Sequence, residues 1–278
     1  MCARGEVKNH GKDSRMKIAT YNIWNDEATF ALRTEQILEE IRKVNADIIG
    51  LQEVPAGFYH NYLTKESGYE HHAFMQYPKE DEGLAILCRY PLIFLEVLYQ
   101  RENYANSTAM NVFFMVDDIR FSLTNVHLPW DSVKTREHQI LAIDRHLKEQ
   151  KADFHILLGD FNSDTGSSVD MYLSGDRTLY DCEANPPWND LSRAYAARVG
   201  EAVKPTLDTV HNPRWAGKKS IYAPEVMDRI YIRDHWHKTE LEWVKLFGTE
   251  VSKKTEYAAS DHYGVVAEVN FRKKWQSI

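Results

Sequence analysis

Short apolar runs of strand type recur along this chain, and in two places the spacing of apolar residues changes from two to three and four. The run MKIATYNIW, 16–24, alternates and is rich in strand formers. Leu32, Ile37, Leu38, Ile41 and Val44 then recur between charged residues, which predicts a helix over about 30–44. ADIIGLQEV follows as a nearly continuous apolar strand of the kind buried on both faces. Strand, helix, strand is the opening unit of a layered α/β fold. GLAILCR, PLIFLEVLY, NVFFMV and IRFSLTNVHL predict a strand meander, with Asp117-Asp118 as a hairpin turn. A second helix is predicted from about Ser132 to Gln150, with Ile140, Ile143 and Leu147 on one face, and DFHILLGD is another buried strand. Residues 163–225 are irregular and rich in Gly, Pro, Ser and Trp, as functional loop regions often are. Order returns with VMDRIYIR, LEWVKLFG and YGVVAEVNF. Residues 1–15 lack periodicity and predict a disordered leader; no repeat or linker divides 16–278, which predicts one domain.

The endings of these runs carry the chemistry. They are Asn22 in TYNIW, Glu53 in LQEV, Asn125 and His127 in TNVH, Asp160 and Asn162 in GDFN, Asp228 in MDRIYI, and Asp261 with His262 in SDHYG. Each alone has a bland reading as a turn, a cap or a surface charge. Six such endings in one chain are hard to explain by packing. Hydrolysis of a phosphodiester needs a cation against a non-bridging oxygen, an aligned water and stabilised charge. Magnesium, or manganese in its place, takes oxygen ligands and few protein carboxylates. Glu53 is the leading candidate ligand, and the Asn22 side-chain oxygen can supplement it without adding negative charge. Asp160 and Asn162, two apart, would share one face of an extended segment, Asp160 handling the attacking water and Asn162 donating to the phosphate. His262 suits acid-base work, with Asp228 fixing its tautomer. His127 suits the phosphoryl oxygens or the leaving group.

TYNIW, LQEV, EGLAIL, NVH, GDFN, DRIYI and SDHYG resemble, in order, the motif series of the endonuclease/exonuclease/phosphatase superfamily across about residues 16–270. The resemblance implies a four-layer α/β/β/α sandwich with two packed mixed β-sheets and a magnesium-dependent phosphoesterase. It adds Asp261 as a metal-ligand candidate, Glu82 as support for His127, and Asn125 as a substrate-binding candidate. LQEVPAGFY, TREHQ, PTLDTVHNP, MDRIYIR and SDHYG look most like the tyrosyl-DNA phosphodiesterase branch. That branch carries T-W-D-T where this chain has Thr206-Leu207-Asp208-Thr209, so Asp208 is a further substrate-binding candidate and the Trp is missing.

Composition narrows the setting. The 278 residues are 43% hydrophobic, ample for one large core, and the net charge of -7 argues against general polyanion binding. A local basic rim of Arg214, Lys218 and Lys219 is either a solvated loop or a phosphate-facing edge. Cys2, Cys88 and Cys182 are odd in number and far apart, which disfavours a disulfide framework or zinc site and suits buried packing in a reducing compartment. Adjacent His71 and His72 point to opposite faces of a strand, so they are poor metal ligands. The N-terminus has no secretory apolar segment, and no run approaches the ~18 residues of a membrane span. A cytoplasmic monomer without membrane insertion is therefore expected, acting on a phosphoester, with DNA one candidate. Two alternatives remain open. One is a phosphatase for a sugar, inositol or lipid phosphate, for which Pro129-Trp130 and Pro186-Pro187-Trp188 are the only apolar loop signals. The other is a catalytically silent phosphate-binding module.

Overall fold

The protein is described by a computed structural model covering residues 13–98, 109–235 and 238–272. The first twelve residues of the expected leader, and residues 99–108 between two strands of the expected meander, lie outside the described residues. Strand β1, Asp13–Asn22, begins three residues before the expected Met16, because Asp13, Ser14 and Arg15 complete its ladder with the C-terminal strand. Helix α1, Phe30–Val44, follows the predicted span and leads to β2, Ile48–Pro55. Three helical turns over 56–66 then lead to β3, His71–Gln76, and β4, Glu82–Cys88. The meander is β5, Leu92–Leu98, β6, Ala109–Val116, and β7, Ile119–His127, with Asp117 of the β6–β7 turn at φ 52°.

Helix α2, Val133–Glu149, is capped by the Ser132 side chain, which accepts from Thr135 N, and precedes β8, Phe154–Asp160. The irregular stretch contains α3, Ser168–Leu173, a two-residue β9, Asn189–Asp190, and α4, Leu191–Val199. Strands β10, Asp228–Arg233, β11, Lys238–Phe247, and β12, Gly264–Arg272, close the fold. No described helix is long and apolar enough to cross a membrane.

Among the described residues there are two six-stranded sheets, ordered β11-β12-β1-β2-β4-β3 and β5-β6-β7-β8-β10-β9. Each is mixed: β1 and β2 run parallel, as do β7 and β8, while the remaining neighbours are antiparallel. The two parallel pairs are joined through α1 and α2, which cover opposite outer faces. Period-two alternation sorts the strand side chains accordingly. Ile18, Ile48, Leu123, Ile156, Ile230 and Ala267 fill the space between the sheets. Ala19, Tyr21, Ile49 and Leu51 meet Ile37, Leu38 and Ile41 of α1 on one outer side. Val126, Leu157 and Tyr231 meet Ile140, Ile143 and Leu147 of α2 on the other. The result is the four-layer α/β/β/α sandwich.

One outer layer is partly polar. Asp144 of α2 is fully buried and accepts from Trp188 Nε1 at 2.9 Å, Tyr172 Oη at 2.7 Å and Arg233 Nη2 at 2.5 Å. This carboxylate ties the irregular 163–225 stretch to the sheet, and its removal would strand a buried guanidinium. Cys88 is buried, its thiol pushed up to about 12 by desolvation, and Cys182 is half-buried.

His155 lies on the same face, buried and edge-on to His235 at 5.1 Å. Burial first, then His235 and Arg233, hold its pKa down to about 3. The unfolded chain binds a proton near pH 6.5 while the folded one resists it, so this stability is complete above pH 6.5 and is lost as pH falls toward 3. Between pH 7 and 4.5 His155 should cost the wild type about 2–3 kcal/mol beyond other acid effects. Urea unfolding at both pH values should show the His155→Phe protein losing that much less stability. Equal losses in the two proteins would refute the assignment.

Candidate active site

The inward-facing side chains of the strands change from apolar to polar at one end of the sandwich. Asn22 ends β1, Gln52 and Glu53 lie near the end of β2, His127 ends β7 and Asp160 ends β8. Asp228 opens the antiparallel β10 directly opposite Asp160, and His262 precedes β12. Parallel strand ends and antiparallel strand starts thus converge on one cleft of ≈ 440 Å³. Its walls include Glu53, Glu82, His127, Asp160, Asn162, Asp261 and His262.

Asn22 is fully buried and stands between two carboxylates. Its Nδ2 donates to Glu53 Oε1 at 2.9 Å and to Asp160 Oδ2 at 3.0 Å, while Oδ1 accepts from Trp24 N at 3.0 Å. The oxygen expected to face a cation therefore faces backbone. Carboxylates accept only, so the NH₂ end must be the one that faces them. Glu53 has φ 54°, at a register shift between β2 and β4, and this bulge aims its carboxylate into the cleft. Its Oε2 accepts from Asn25 N at 3.0 Å.

Asp160 and Asn162 meet, but not as neighbours on an extended face. Strand β8 stops at Asp160, Asn162 has φ 45°, and its backbone N–H closes a tight turn by donating to Asp160 Oδ1 at 2.8 Å. Asn162 Nδ2 donates to Leu128 O at 2.8 Å. His127 Nε2 lies 3.7 Å from Asp160 Oδ2 and 3.9 Å from Glu53 Oε1, with Nδ1 3.4 Å from Tyr77 Oη. Glu82 does not hold His127 directly; it accepts from Asn25 Nδ2 at 2.9 Å. Tyr77 is the nearer support.

His262 Nδ1 and Asp228 Oδ2 are 2.8 Å apart, both buried, and His262 Nε2 lies 4.0 Å from Asp160 Oδ2. Burial opposes charge on the imidazole, but Asp228 and Asp160 together outweigh it and raise its pKa well above the ordinary value. Asp160, Asp228 and His262 offer atoms within 4.8 Å of one another, a grouping that could be read as a metal cage. The 2.8 Å Nδ1–Oδ2 contact is a hydrogen bond, however, and magnesium-type ions prefer oxygen. The triad suits proton handling.

The fit to a cation lies beside it. Burial first, and Glu53 in addition, push the Asp261 carboxyl up to about 6, against the pull of His262, Arg214 and Arg33. Burial and Glu53 likewise raise Glu82. Acidic groups that resist ionisation together, aimed into one cleft, fit a hard divalent ion. Glu53 and Asp261 are the residues that would hold it.

Two sequence candidates are turned elsewhere. Asn125 is not a substrate contact: it is fully buried between the sheets, and Nδ2 donates to Leu51 O and Ala85 O, both at 3.0 Å. Its Oδ1 accepts from Gln52 Nε2 at 2.6 Å. Asp208 accepts from Val210 N and His211 N through Oδ1, while Oδ2 meets His211 Nδ1 at 2.9 Å. Both its oxygens are spent within its own turn. Burial works against its charge, but the His211 hydrogen bonds hold its pKa below the usual range. The element that matters from TLDT is Thr206, whose Oγ1 accepts from Met227 N and Asp228 N at 3.0 Å.

Sequence reasoning also missed Gln52, Tyr77 and Arg33. Gln52 was within reach, since alternation places it on the same inward face as Ile48. Arg33, fully buried on α1, donates to Ile23 O, Trp24 O and Ala259 O, clamping the Asn22 and Asp261 segments together. A single arginine in a helical pattern carries no signal of that role. His72 Nδ1 bonds Tyr59 Oη at 2.8 Å, outside the cleft.

A family model described as Endonuclease/Exonuclease/phosphatase family matches residues 19–262. Among solved structures, D. rerio TDP2 complexed with single strand DNA product superposes with a TM-score of 0.73 at 18% identity, covering 92% of this chain and 99% of that one. An endonuclease/exonuclease/phosphatase family protein from Bacteroides thetaiotaomicron gives 0.73 at 16% identity, covering 96% of this chain and 100% of that one. ANGEL2, a 2',3'-cyclic phosphatase, gives 0.70 at 13%, covering 93% and 95%. No match was found among curated proteins.

If Asn125 ties the sheets, its loss should act on folding rather than on binding. Asn125→Ala leaves Gln52 and two strand carbonyls short of a partner, a cost of about 2–3 kcal/mol. Denaturant unfolding should show that loss, with KM for a phosphodiester near the wild-type value. A raised KM at unchanged stability would restore Asn125 as a substrate contact.

Proposed function

The chain belongs to the endonuclease/exonuclease/phosphatase family, and on that premise we propose that it is a magnesium-dependent phosphodiesterase for DNA-type or tyrosyl-DNA-type esters. The observation that carries the reading is the buried His262–Asp228 pair beside Asp160 and opposite His127, in a cleft whose acidic floor fits a divalent ion. A cation held by Glu53 and Asp261 would supply positive charge to a non-bridging phosphoryl oxygen. Asp160, fixed by Asn22 and by the Asn162 amide, accepts a hydrogen bond from the attacking water and sets its direction. His262 carries its proton on Nε2 toward the reacting phosphate, with Asp228 fixing the ring. His127, backed by Tyr77, donates to the phosphoryl group from the other wall. Asn162, at the rim, has a second amide hydrogen free for a phosphate oxygen.

The DNA-type arm is supported by the likeness to a TDP2 structure holding a single strand DNA product, and by the aromatic walls of the cleft. Leu207 lines the cleft where the tyrosyl-DNA branch has Trp, but Trp130 and Trp215 line it too. Trp130 and Trp215 supply stacking faces that Leu207 does not.

A panel of single-stranded, abasic and tyrosyl-phosphate DNA, inositol phosphates, sphingomyelin and bis-p-nitrophenyl phosphate, each with Mg²⁺ and with EDTA, tests this directly. Cleavage of DNA-type esters that stops on chelation is expected. Full turnover after verified metal removal would overturn the mechanism, and cleavage confined to inositol phosphates or sphingomyelin would overturn the substrate assignment.

His262→Ala should lower kcat by ~100- to 10,000-fold with a smaller effect on KM. Asp228→Asn should cost less, since the imidazole remains but is misoriented. The double variant should lose little more than His262→Ala alone, because the pair acts as a unit. Losses that multiply would sink the proposed coupling.

A further inference from the structure

Two guanidinium groups lie over the Trp24 ring, and they differ in what their donors do. Arg33 sits 4.2 Å from the ring centroid, fully buried, with its Nε and both terminal nitrogens bonded to Thr29, Ile23, Ala259 and Trp24. Arg214 sits 5.0 Å from the same ring and 5.5 Å from that of Trp215, and it is exposed. Among the described residues its guanidinium donates no hydrogen bond and pairs with no carboxylate; only its backbone N–H is engaged, with Asn212 Oδ1. An arginine held by two indoles, with its fork of donors unspent, is pre-organised for an anion. Stacking removes much of the rotamer freedom that a surface arginine loses on binding.

Its location specifies which anion. Trp215 lines the catalytic cleft on the side of Asp261, and Asn212 Nδ2 donates to Ser260 O at 2.9 Å, so the segment is tied to the loop that carries Asp261 and His262. The exposed Lys218 and Lys219 follow on the next turn, Gly217–Lys219. Across an otherwise acidic cleft, this is a fixed positive edge outside the proposed catalytic groups.

We propose that Arg214 is a substrate-positioning residue that holds a second phosphate, one flanking the scissile ester. This rests on the phosphoesterase reading above and deepens it. The preferred substrate then carries at least two phosphates in sequence, as in a nucleotide chain or a polyphosphorylated inositol, rather than one isolated ester. Lys218 and Lys219 extend the same edge for longer substrates.

The test compares substrates that differ by one phosphate, all with Mg²⁺. They are thymidylyl-thymidine with and without a 5'-phosphate, inositol bisphosphate against inositol monophosphate, and bis-p-nitrophenyl phosphate. Arg214→Ala should raise KM for the doubly phosphorylated member of the productive pair by ~10- to 100-fold, the value of a charge-assisted contact. The singly phosphorylated member and bis-p-nitrophenyl phosphate should show a much smaller change in KM. Arg214→Lys, which keeps charge without the planar fork, should fall between. On a longer single strand the salt dependence of log KM should flatten by roughly 0.7.

The pair that responds identifies the source of the second phosphate. Equal losses on singly and doubly phosphorylated substrates would mean that Arg214 only balances Asp261 or supports the loop, and would overturn the proposal. So would no loss on either. If the wild type cleaves none of these esters, it is the phosphoesterase reading that fails, and this inference with it.

Discussion

Everything at the catalytic end depends on how closely the two sheets approach there. Asn125 of β7 donates to two carbonyls of the facing sheet and accepts from Gln52, so one side chain joins β7 to β2 and β4. Gly50 makes room for it: a Cβ there would lie 3.0 Å from Asn125 Cγ and 2.4 Å from Leu158 Cδ1. Elsewhere the gap between sheets is filled by Ile, Leu, Val and Phe, which set distance but not register. Directed hydrogen bonds set both. Fixing β2 against β7 fixes Glu53 against His127, and Asn22 then locks Glu53 to Asp160. The proposed catalytic groups inherit their spacing from a polar tie buried between the sheets.

That arrangement concentrates negative charge, and the fold manages it by position. Asn22 shares its amide between two carboxylates, Asn25 donates to Glu53 and Glu82, and His262 takes Asp228. Arg33 lies behind the site with its donors spent on Thr29 and on backbone carbonyls, so it offsets negative charge there without competing for substrate. Compensation is incomplete in the Asp261–Glu53 region, where burial, and Glu53 in addition, push the Asp261 carboxyl up to about 6. A divalent ion there would relieve the repulsion and be held by it.

Much of this was legible in the sequence, for a physical reason. In a sandwich, each strand's inward face is apolar until the core ends, so a polar residue at the end of an apolar run marks the rim of the inter-sheet space. Asn22, His127, Asp160 and Asp228 obey that rule, while Glu53, next in line after the inward Gln52, reaches the cleft only through its bulge. The rule cannot distinguish depth: Asn125 lies one inward position below His127, and that step turns a substrate contact into a structural tie. Side-chain direction was equally hidden. Nothing in TYNIW says which end of the Asn22 amide faces the carboxylates, and nothing in GDFN says that Asn162 reaches Asp160 through a left-handed turn. The 163–225 stretch looked irregular because its burial rests on single polar anchors, such as Trp188 on Asp144, which leave no periodicity.

The division between strand ends and loops also explains how specificity can vary on a fixed chemistry. The proposed acid, base and metal ligands stand on strands, or on a loop fastened to them by Ser260 Oγ to Asn22 O at 2.7 Å and by Arg33. The walls, by contrast, come from loop segments outside the two sheets: Trp130 after β7, Trp215 between α4 and β10, and Leu207, which a single bridge joins to Glu225. A substitution at Trp130 costs little stability, because its ring is largely exposed. Changes at Trp130, Leu207 or Trp215 would therefore reshape the cleft wall at a distance from the strand that carries Asp160. Drift in the loops is thus decoupled from drift in the mechanism.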